Sequence, residues 1–271
     1  MRILHLLDHS LPRQSGYATR TDAILHQQRA MGWEPVPLTG PRQESGELPT
    51  ELVGDVNYGR TPAPKGLASI GWFRPYGDMM AMERRMLDVV PMIQPHLIHA
   101  HSPLLNGRAA LAVGKALRIP VVYEVRALWE DAAVSHGTTS VGSLRYRLTR
   151  YYESDLLRAA DAVITLCEGL RGEIVQRGVK PEKVFLLPNG VALDPPVEPP
   201  PEAIQRFAQN APGPVLGFIG SFYAYEGLPG LLEALTLLHA RGVAASVLLV
   251  GGGPEEGAVR RLVERHPLRG R

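Results

Sequence analysis

Cysteine is almost missing from the 271 residues: Cys167 stands alone, so no internal disulfide and no cysteine metal cluster can form, which suits a reducing cytoplasm. No apolar run approaches the roughly 18 residues of a membrane span, which excludes a transmembrane protein. The start, MRILHLLDHS, turns polar too soon for a signal peptide. A formal charge of only +2 gives no pull toward nucleic acid. No G-x-G-x-x-G follows the first strand, so a dinucleotide fingerprint is unsupported, and no D-x-D appears. What remains, 45% hydrophobic and 21% charged, suits a globular chain with a real core.

Short apolar runs alternate with helix-period segments, the pattern of a parallel sheet crossed by helices, so the fold class is α/β. Strands are expected at Arg2 to Leu7, Trp33 to Leu38, Leu97 to Ala100, Pro120 to Val125, Ala162 to Leu166 and Lys183 to Leu187. Pro35 and Pro37 push the second toward a sheet edge. Thr39 to Tyr76 reads as long loops with one strand near Leu52 to Tyr58. Helices are expected at Gly16 to Met31, Asp78 to Ile93, Asn106 to Leu117, Ser143 to Ala160 and Glu168 to Arg177. The proline cluster DPPVEPPPE, from Asp194 to Glu202, marks a boundary. The expected division is a Rossmann-like domain over 1–193, a Pro-rich linker over 194–213, and the start of a second Rossmann-like domain over 214–271. That last stretch supplies strands Val215 to Ile219 and Ala245 to Val250 with helices Leu228 to Arg241 and Glu255 to His266, too little to stand alone.

Several loops at strand ends are candidate site elements. Ser15 and Gly16 open the first helix, where backbone N–H groups suit an anion, although Ser15 as cap and Gly16 as turn residue explain them equally simply. His99 and His101 share one face of their strand, and His101 lies nearer the end where α/β sheets collect ligands. Its alternatives are a satisfied structural histidine or a cleft residue; a metal site lacks a third ligand at recognisable spacing. Glu124 and Arg126 share a face of the next strand, as an ion pair or with Arg126 reaching an anionic substrate. Turn chemistry accounts for Asn189-Gly190, which makes Asn189 a substrate-side candidate by position only. Gly220-Ser221 and Gly251-Gly252-Gly253 let backbone approach a ligand. Arg145, Arg147, Arg150 and Arg158, interleaved with Leu144, Leu148 and Tyr151, make Ser143 to Ala160 a candidate peripheral membrane contact, against the simpler reading of a solvated helix.

In their order along the chain, LIHAHSPLLNGRAALAVGKALRIPVVYEVR, AADAVITLCEGLRGEIVQRGVKPEKVFLLPNGVALD, GFIGSFYAYEGLPGLLEALTLLHARG and VLLVGGGPEE resemble the GT4 family of retaining glycosyltransferases with the GT-B fold. EVRALWED and GSFYAYEGL look most like subgroups that build polysaccharides, including those associated with exosortase and exopolysaccharide gene clusters. The resemblance implies an enzyme that moves a sugar from a nucleotide-sugar donor to a glycan or lipid-linked acceptor; with the lone cysteine and the arginine-bearing helix, the expected place is the cytoplasm, where that helix could touch the inner face of the membrane. It implies no metal or other cofactor, the nucleotide-sugar being a substrate. It places Gly16 near the donor phosphates and makes His101 the catalytic, sugar-facing residue. Gly220, Ser221, Glu226 and Gly227 fall in the diphosphate loop, where the family's Arg and Lys are replaced by Phe222 and Glu226. A leaving group carrying about two negative charges needs donors or cations, so that replacement is a real departure. The family's glutamate pair would lie beyond Arg271, so poor or no transfer is expected from this polypeptide although its complete parent would be a transferase, and a non-catalytic GT-B remnant acting as a binding module is the alternative. A GT-B sugar-nucleotide epimerase fits the HAH and PNG context less well.

Overall fold

The computed structural model describes residues 1–43, 49–191 and 199–267, and the chain divides into two compact units, Met1–Val191 and Ala192–Arg271. The first holds strands β1 (Arg2–Leu7), β2 (Glu34–Thr39), β3 (Thr50–Val53), β4 (Val56–Arg60), β5 (Leu97–His101), β6 (Val121–Val125), β7 (Ala162–Thr165) and β8 (Val184–Leu186). They form one sheet in the order β3-β4-β2-β1-β5-β6-β7-β8, parallel except for β3 against β4. Its helices are α1 (Gly16–Ala30), α2 (Arg74–Ile93), α3 (Leu104–Leu117), α4 (Trp129–Ser135), α5 (Leu144–Ala159) and α6 (Glu168–Gln176). Leu4, Leu6, Ile98, Ala100, Tyr123, Val125, Leu156 and Val163 are buried in one core cluster with Met82 and Met86 of α2.

Four local expectations need correction. β2 is interior to the sheet, not at its edge, because Glu34 N donates to Met1 O at 2.9 Å. The even-numbered amides therefore face β1, and Pro35 and Pro37 turn their missing N–H groups the other way, where β4 pairs only from Leu38 and Thr39 onward. The single strand read near Leu52 to Tyr58 is a hairpin, since Gly54 at φ 61° turns the chain so that Val53 pairs with Val56. α4 starts inside the EVRALWED segment, at Trp129, without an earlier signal. Helix α7 (Glu202–Asn210) occupies part of the 194–213 stretch read as linker, because Pro201 takes its N-cap position and the prolines end there. Asp194 to Glu198, in the proline cluster, lie outside the described residues.

Serine caps set two helix starts: Ser15 Oγ accepts from Ala18 N at 3.1 Å and Ser143 Oγ from Tyr146 N at 3.1 Å. Among the described residues no helix is long and apolar enough to cross a membrane. Of the four arginines on α5, Arg150 pairs with Glu173 at 2.9 Å, Arg158 donates to Arg177 O at 3.1 Å and Arg145 to Thr138 O at 3.3 Å.

The second unit holds α7, β9 (Val215–Ser221), α8 (Leu228–Ala240), β10 (Ser246–Gly252) and α9 (Glu256–Arg265), with β9 and β10 as a parallel pair. Phe222, Leu228 and Val259 form its small core, with Phe218, Leu231, Leu249 and Val263 packed on it. Gly251 sits at φ 147°, and a Cβ there would fall 1.8 Å from Gly220 O. Gly251→Ala should therefore force the β9 and β10 ends apart and destabilise this unit by more than the ~1 kcal/mol of an ordinary helix glycine. Hydrogen exchange of the β9 and β10 amides checks this: protection should fall there and stay unchanged over β1 and β5 to β7.

Candidate functional site

The sheet of the first unit changes direction of winding between β1 and β5, which are neighbours while β2 lies on one side and β6 on the other. Crevices open at the carboxyl ends of strands at such a switch point. His101 ends β5, Glu124 and Arg126 end β6, and Ser15 and Gly16 follow the loop after β1. The structure links His101, Glu124 and Arg126 in one network, whereas the bonds of Ser15 go to Ala18 and His9 instead.

Glu124 is its centre, with a fully buried side chain. Oε1 accepts from Arg126 Nε at 2.9 Å and from Arg20 Nε at 3.0 Å. Oε2 lies 3.1 Å from His99 Nε2, in ion-pair range, yet neither atom makes a hydrogen bond. Burial alone would push the carboxyl up, but the neighbouring imidazoles and the permanent charge of Arg126 outweigh it and hold Glu124 well below the usual range, ionised. Arg20 continues to the end of β8, donating to Leu187 O at 2.7 Å, Pro188 O at 3.0 Å and Asn189 Oδ1 at 3.0 Å. Asn189 thus joins the network through Arg20.

Arg126 is a clamp inside the unit. It donates to Tyr17 O at 2.8 Å, Thr21 Oγ1 at 3.0 Å and His101 Nδ1 at 2.7 Å, and its guanidinium lies 4.3 Å from the centre of the Tyr17 ring. Of the two readings of Glu124 and Arg126, the ion pair is what the structure contains; in this arrangement Arg126 spends its donors on protein, not on a substrate anion.

The clamp assigns the protons on the histidines. An arginine only donates, so His101 Nδ1 must accept, and a neutral His101 then carries its proton on Nε2. Nε2–H donates to His5 Nδ1 at 3.0 Å, which leaves His5 Nε2–H to donate to Gln28 Oε1 at 2.8 Å. Burial is the largest cause that keeps both rings neutral: it lowers His101 well below its ordinary value and His5 to about 3, with His99 adding to each. The ring nitrogens of His5, His99 and His101 lie within 4.8 Å of one another, near enough for a metal ion. The third ligand that spacing did not show is therefore His5, supplied by the neighbouring strand. Yet a ligand nitrogen must be unprotonated, and the Arg126 bond puts the proton on the very His101 nitrogen that faces His5. The set does not fit a metal while Arg126 is in place.

Ser15 caps α1 and its Oγ lies 2.7 Å from His9 Nε2, while His9 Nδ1 reaches Asp8 Oδ2 at 3.0 Å. Gly16 leaves open space where a Cβ would stand. The residues that sequence reasoning missed are His5, Tyr17, Arg20, Thr21 and Gln28. One signal for them exists: Tyr17, Thr21 and Gln28 recur at helical spacing on the sheet-facing side of α1, where an ordinary helix would be apolar.

In the second unit Phe222 is 5% exposed and packs with Leu228 and Val259, so the residue standing in place of the family's Arg is a core residue. Gly220, Ser221 and Glu226 are exposed, and Gly227 at φ 70° leads into α8.

Two outcomes follow from this geometry. Replacing Arg126 by Met leaves Glu124 with one guanidinium and should cost about 3–5 kcal/mol, the scale for breaking a buried pair. Arg126→Lys should rescue little, because an ammonium cannot reproduce the fork that spans Glu124, Tyr17, Thr21 and His101; urea unfolding of the three proteins checks both. Second, since the unfolded chain takes up protons on histidine below pH ~6.5 while His5 stays neutral to about 3, stability should fall as pH drops through that window. The slope should approach ~1.4 kcal/mol per pH unit for each neutral buried histidine. His5→Gln should remove one share of it in unfolding curves at pH 7.5, 5.5 and 4.5, and an unchanged slope would discard the assignment.

No curated protein sequence matches the chain significantly. Sucrose-phosphate synthase from Thermosynechococcus elongatus superimposes with a TM-score of 0.66 at 21% identity, over 97% of this chain and 66% of that one. HepE from Anabaena, in complex with UDP-glucose, gives 0.65 at 16% identity over 99% and 66%. The apo form of the lipopolysaccharide outer core galactosyltransferase WaaB gives 0.62 at 11% over 99% and 66%. The chain thus spans 66% of the length of each of these structures, and the likeness shows the α/β fold of GT-B type. The profile of the glycosyl transferase 4-like domain matches residues 15–190, from the Ser15 cap to the turn that Arg20 holds at Asn189. The chain belongs to the glycosyl transferase 4-like family.

Proposed function

We propose that the chain works in retaining transfer of a sugar from a nucleotide-sugar donor to a hydroxyl of a glycan or lipid-linked acceptor in polysaccharide building. The observation that carries this reading is the ordered polar cluster of His101, Arg126, Glu124 and Arg20 at the switch point of the family-matched unit. HepE, a structural neighbour, was crystallised with UDP-glucose, which makes UDP-sugars the first donors to try. In this reading the acceptor lies at the carboxyl ends of β1, β5 and β6, near Ser15, Gly16 and Asn189. The donor phosphates meet the backbone N–H groups of Ser221 and Gly227, since Phe222 is buried and Glu226 is acidic.

His101 is the proposed sugar-facing residue. Both side chains are fully buried and the Nε2–H of His101 is given to His5; in this reading a sugar hydroxyl replaces His5 as the acceptor of that hydrogen bond, and Arg126 keeps the tautomer fixed while it does. A neutral imidazole places no like charge beside an anomeric carbon that becomes positive.

The test is calorimetry of the chain with UDP, UDP-glucose and GDP-mannose, followed by transfer to oligosaccharide and prenyl-linked acceptors with the anomeric configuration read by NMR. Donor binding is expected, and any product formed should keep its anomeric configuration. His101→Ala should then lower turnover of the folded enzyme on the order of 10²-fold, the scale of a transition-state hydrogen bond. His99→Ala should act more on melting temperature than on rate. A chain that binds glycans but neither binds nor turns over any nucleotide-sugar would be a binding module, the reading that the buried Phe222 favours, and the transfer proposal would fall.

A further inference from the structure

At the amino edge of the first unit's sheet, the end away from His101, a groove of about 720 Å³ opens between α3, the last residues of α5 and the start of β6. That volume lies in the ~300–1,000 Å³ range of small-molecule sites. Leu111, Ile119 and Val121 give it an apolar lining. The small side chains of Ala112 and Ala159 line it, and Gly114 lets α3 pack closely on β6 at its base, since a Cβ there would strike Val121 Cγ2 at 2.5 Å.

The charges around this lining are unequal in their commitments. Arg108 pairs with Asp155 at 2.6 Å, and Asp161 Oδ2 accepts from Val121 N at 2.8 Å. The side chains of Lys115 and Arg118, both exposed, make no ion pair or hydrogen bond among the described residues. The carboxyl end of α3 favours cations through its dipole, which accounts for basic residues there. It does not account for an open apolar channel beside them.

We propose that this groove is a second ligand site, for an aliphatic anion: a short hydrocarbon body lies on Leu111, Ile119 and Val121, and a phosphate or carboxylate head sits between Lys115 and Arg118. The pairing of an unneutralised charge with dry surface selects against each half alone. A bare phosphate gains no apolar burial, and a neutral alkyl chain leaves two cations as they were. The site is separate from the carboxyl-edge cluster and independent of what that cluster does.

Calorimetry of the full chain tests it with octyl phosphate, nonanoate, inorganic phosphate and the neutral octyl tetraethylene glycol ether, each below its micelle concentration. One-to-one binding of octyl phosphate or nonanoate is expected, at least tenfold tighter than either inorganic phosphate or the ether, the tighter of the two naming the head group. The double variant Lys115→Glu/Arg118→Glu should weaken that binding at least tenfold, and Ala112→Trp, which fills the groove and leaves the charges, should do the same. Equal affinity for the ether, equal affinity for inorganic phosphate, or binding unchanged in both variants would overturn the proposal.

Discussion

Glu124 is fully buried, and an ion of its size in a protein interior costs several kcal/mol unless its charge is matched. Two guanidiniums match it, and they come from different places: Arg126 from the end of the same strand, Arg20 from α1. Satisfying one carboxylate therefore fixes α1 against β6. Because Arg20 also holds the carbonyls of Leu187 and Pro188, the end of β8 is placed by the same charge. Because Arg126 also donates to His101, the proton positions on His101 and His5 are set in turn. The carboxyl edge of the sheet is a single linked arrangement, and its parts cannot be moved one at a time.

This linkage has a chemical side. A histidine near a carboxylate is usually drawn toward its charged form, and Glu124 does raise the proton affinity of His101. Burial, His99 and Arg126 act the other way and prevail, so the ring stays neutral beside an ionised carboxylate. Glu124 serves the site by holding Arg126 where it is a hydrogen-bond donor, rather than by charging the imidazole.

The sequence showed the strands that carry the site because their apolar runs are unambiguous, and it placed His101, Glu124 and Arg126 at strand ends for the same reason. It could not show that β1 lies against β5 with His5 opposite His99. That register makes a lone histidine in RILHLL a member of the cluster. Nor could it show Arg20 reaching residues more than 160 positions away. Prolines misled twice by one physical rule applied without geometry. In β2 they reject hydrogen bonds only on the side where no partner has yet begun, and before α7 they end at a helix cap instead of extending a linker.

β6 also explains why the loop that follows it is so well held. Its side chains alternate, so Tyr123 and Glu124 point to opposite faces of the sheet. Away from Glu124, Tyr123 Oη donates to Glu153 Oε1 at 3.3 Å, and Trp129 N donates to Glu153 Oε2 at 3.1 Å. Glu130 lies against Glu153 and receives Arg177 Nη2 at 2.5 Å. The charge balance there is the reverse of the one at Glu124, with two buried carboxyls facing one buried guanidinium. Burial, with Glu130 adding to it, pushes Glu153 up to about 8, so it keeps its proton at neutral pH. The turn from Arg126 to Trp129 is thus pinned at one end by an ionised carboxylate and at the other by a protonated one. Each is stable only in its own surroundings: two arginines make ionisation favourable on the first face, and burial beside a second carboxyl makes it unfavourable on the other, more than Arg177 offsets. A rigid turn at the cleft follows from placing two acids of opposite protonation state on the two sides of one strand.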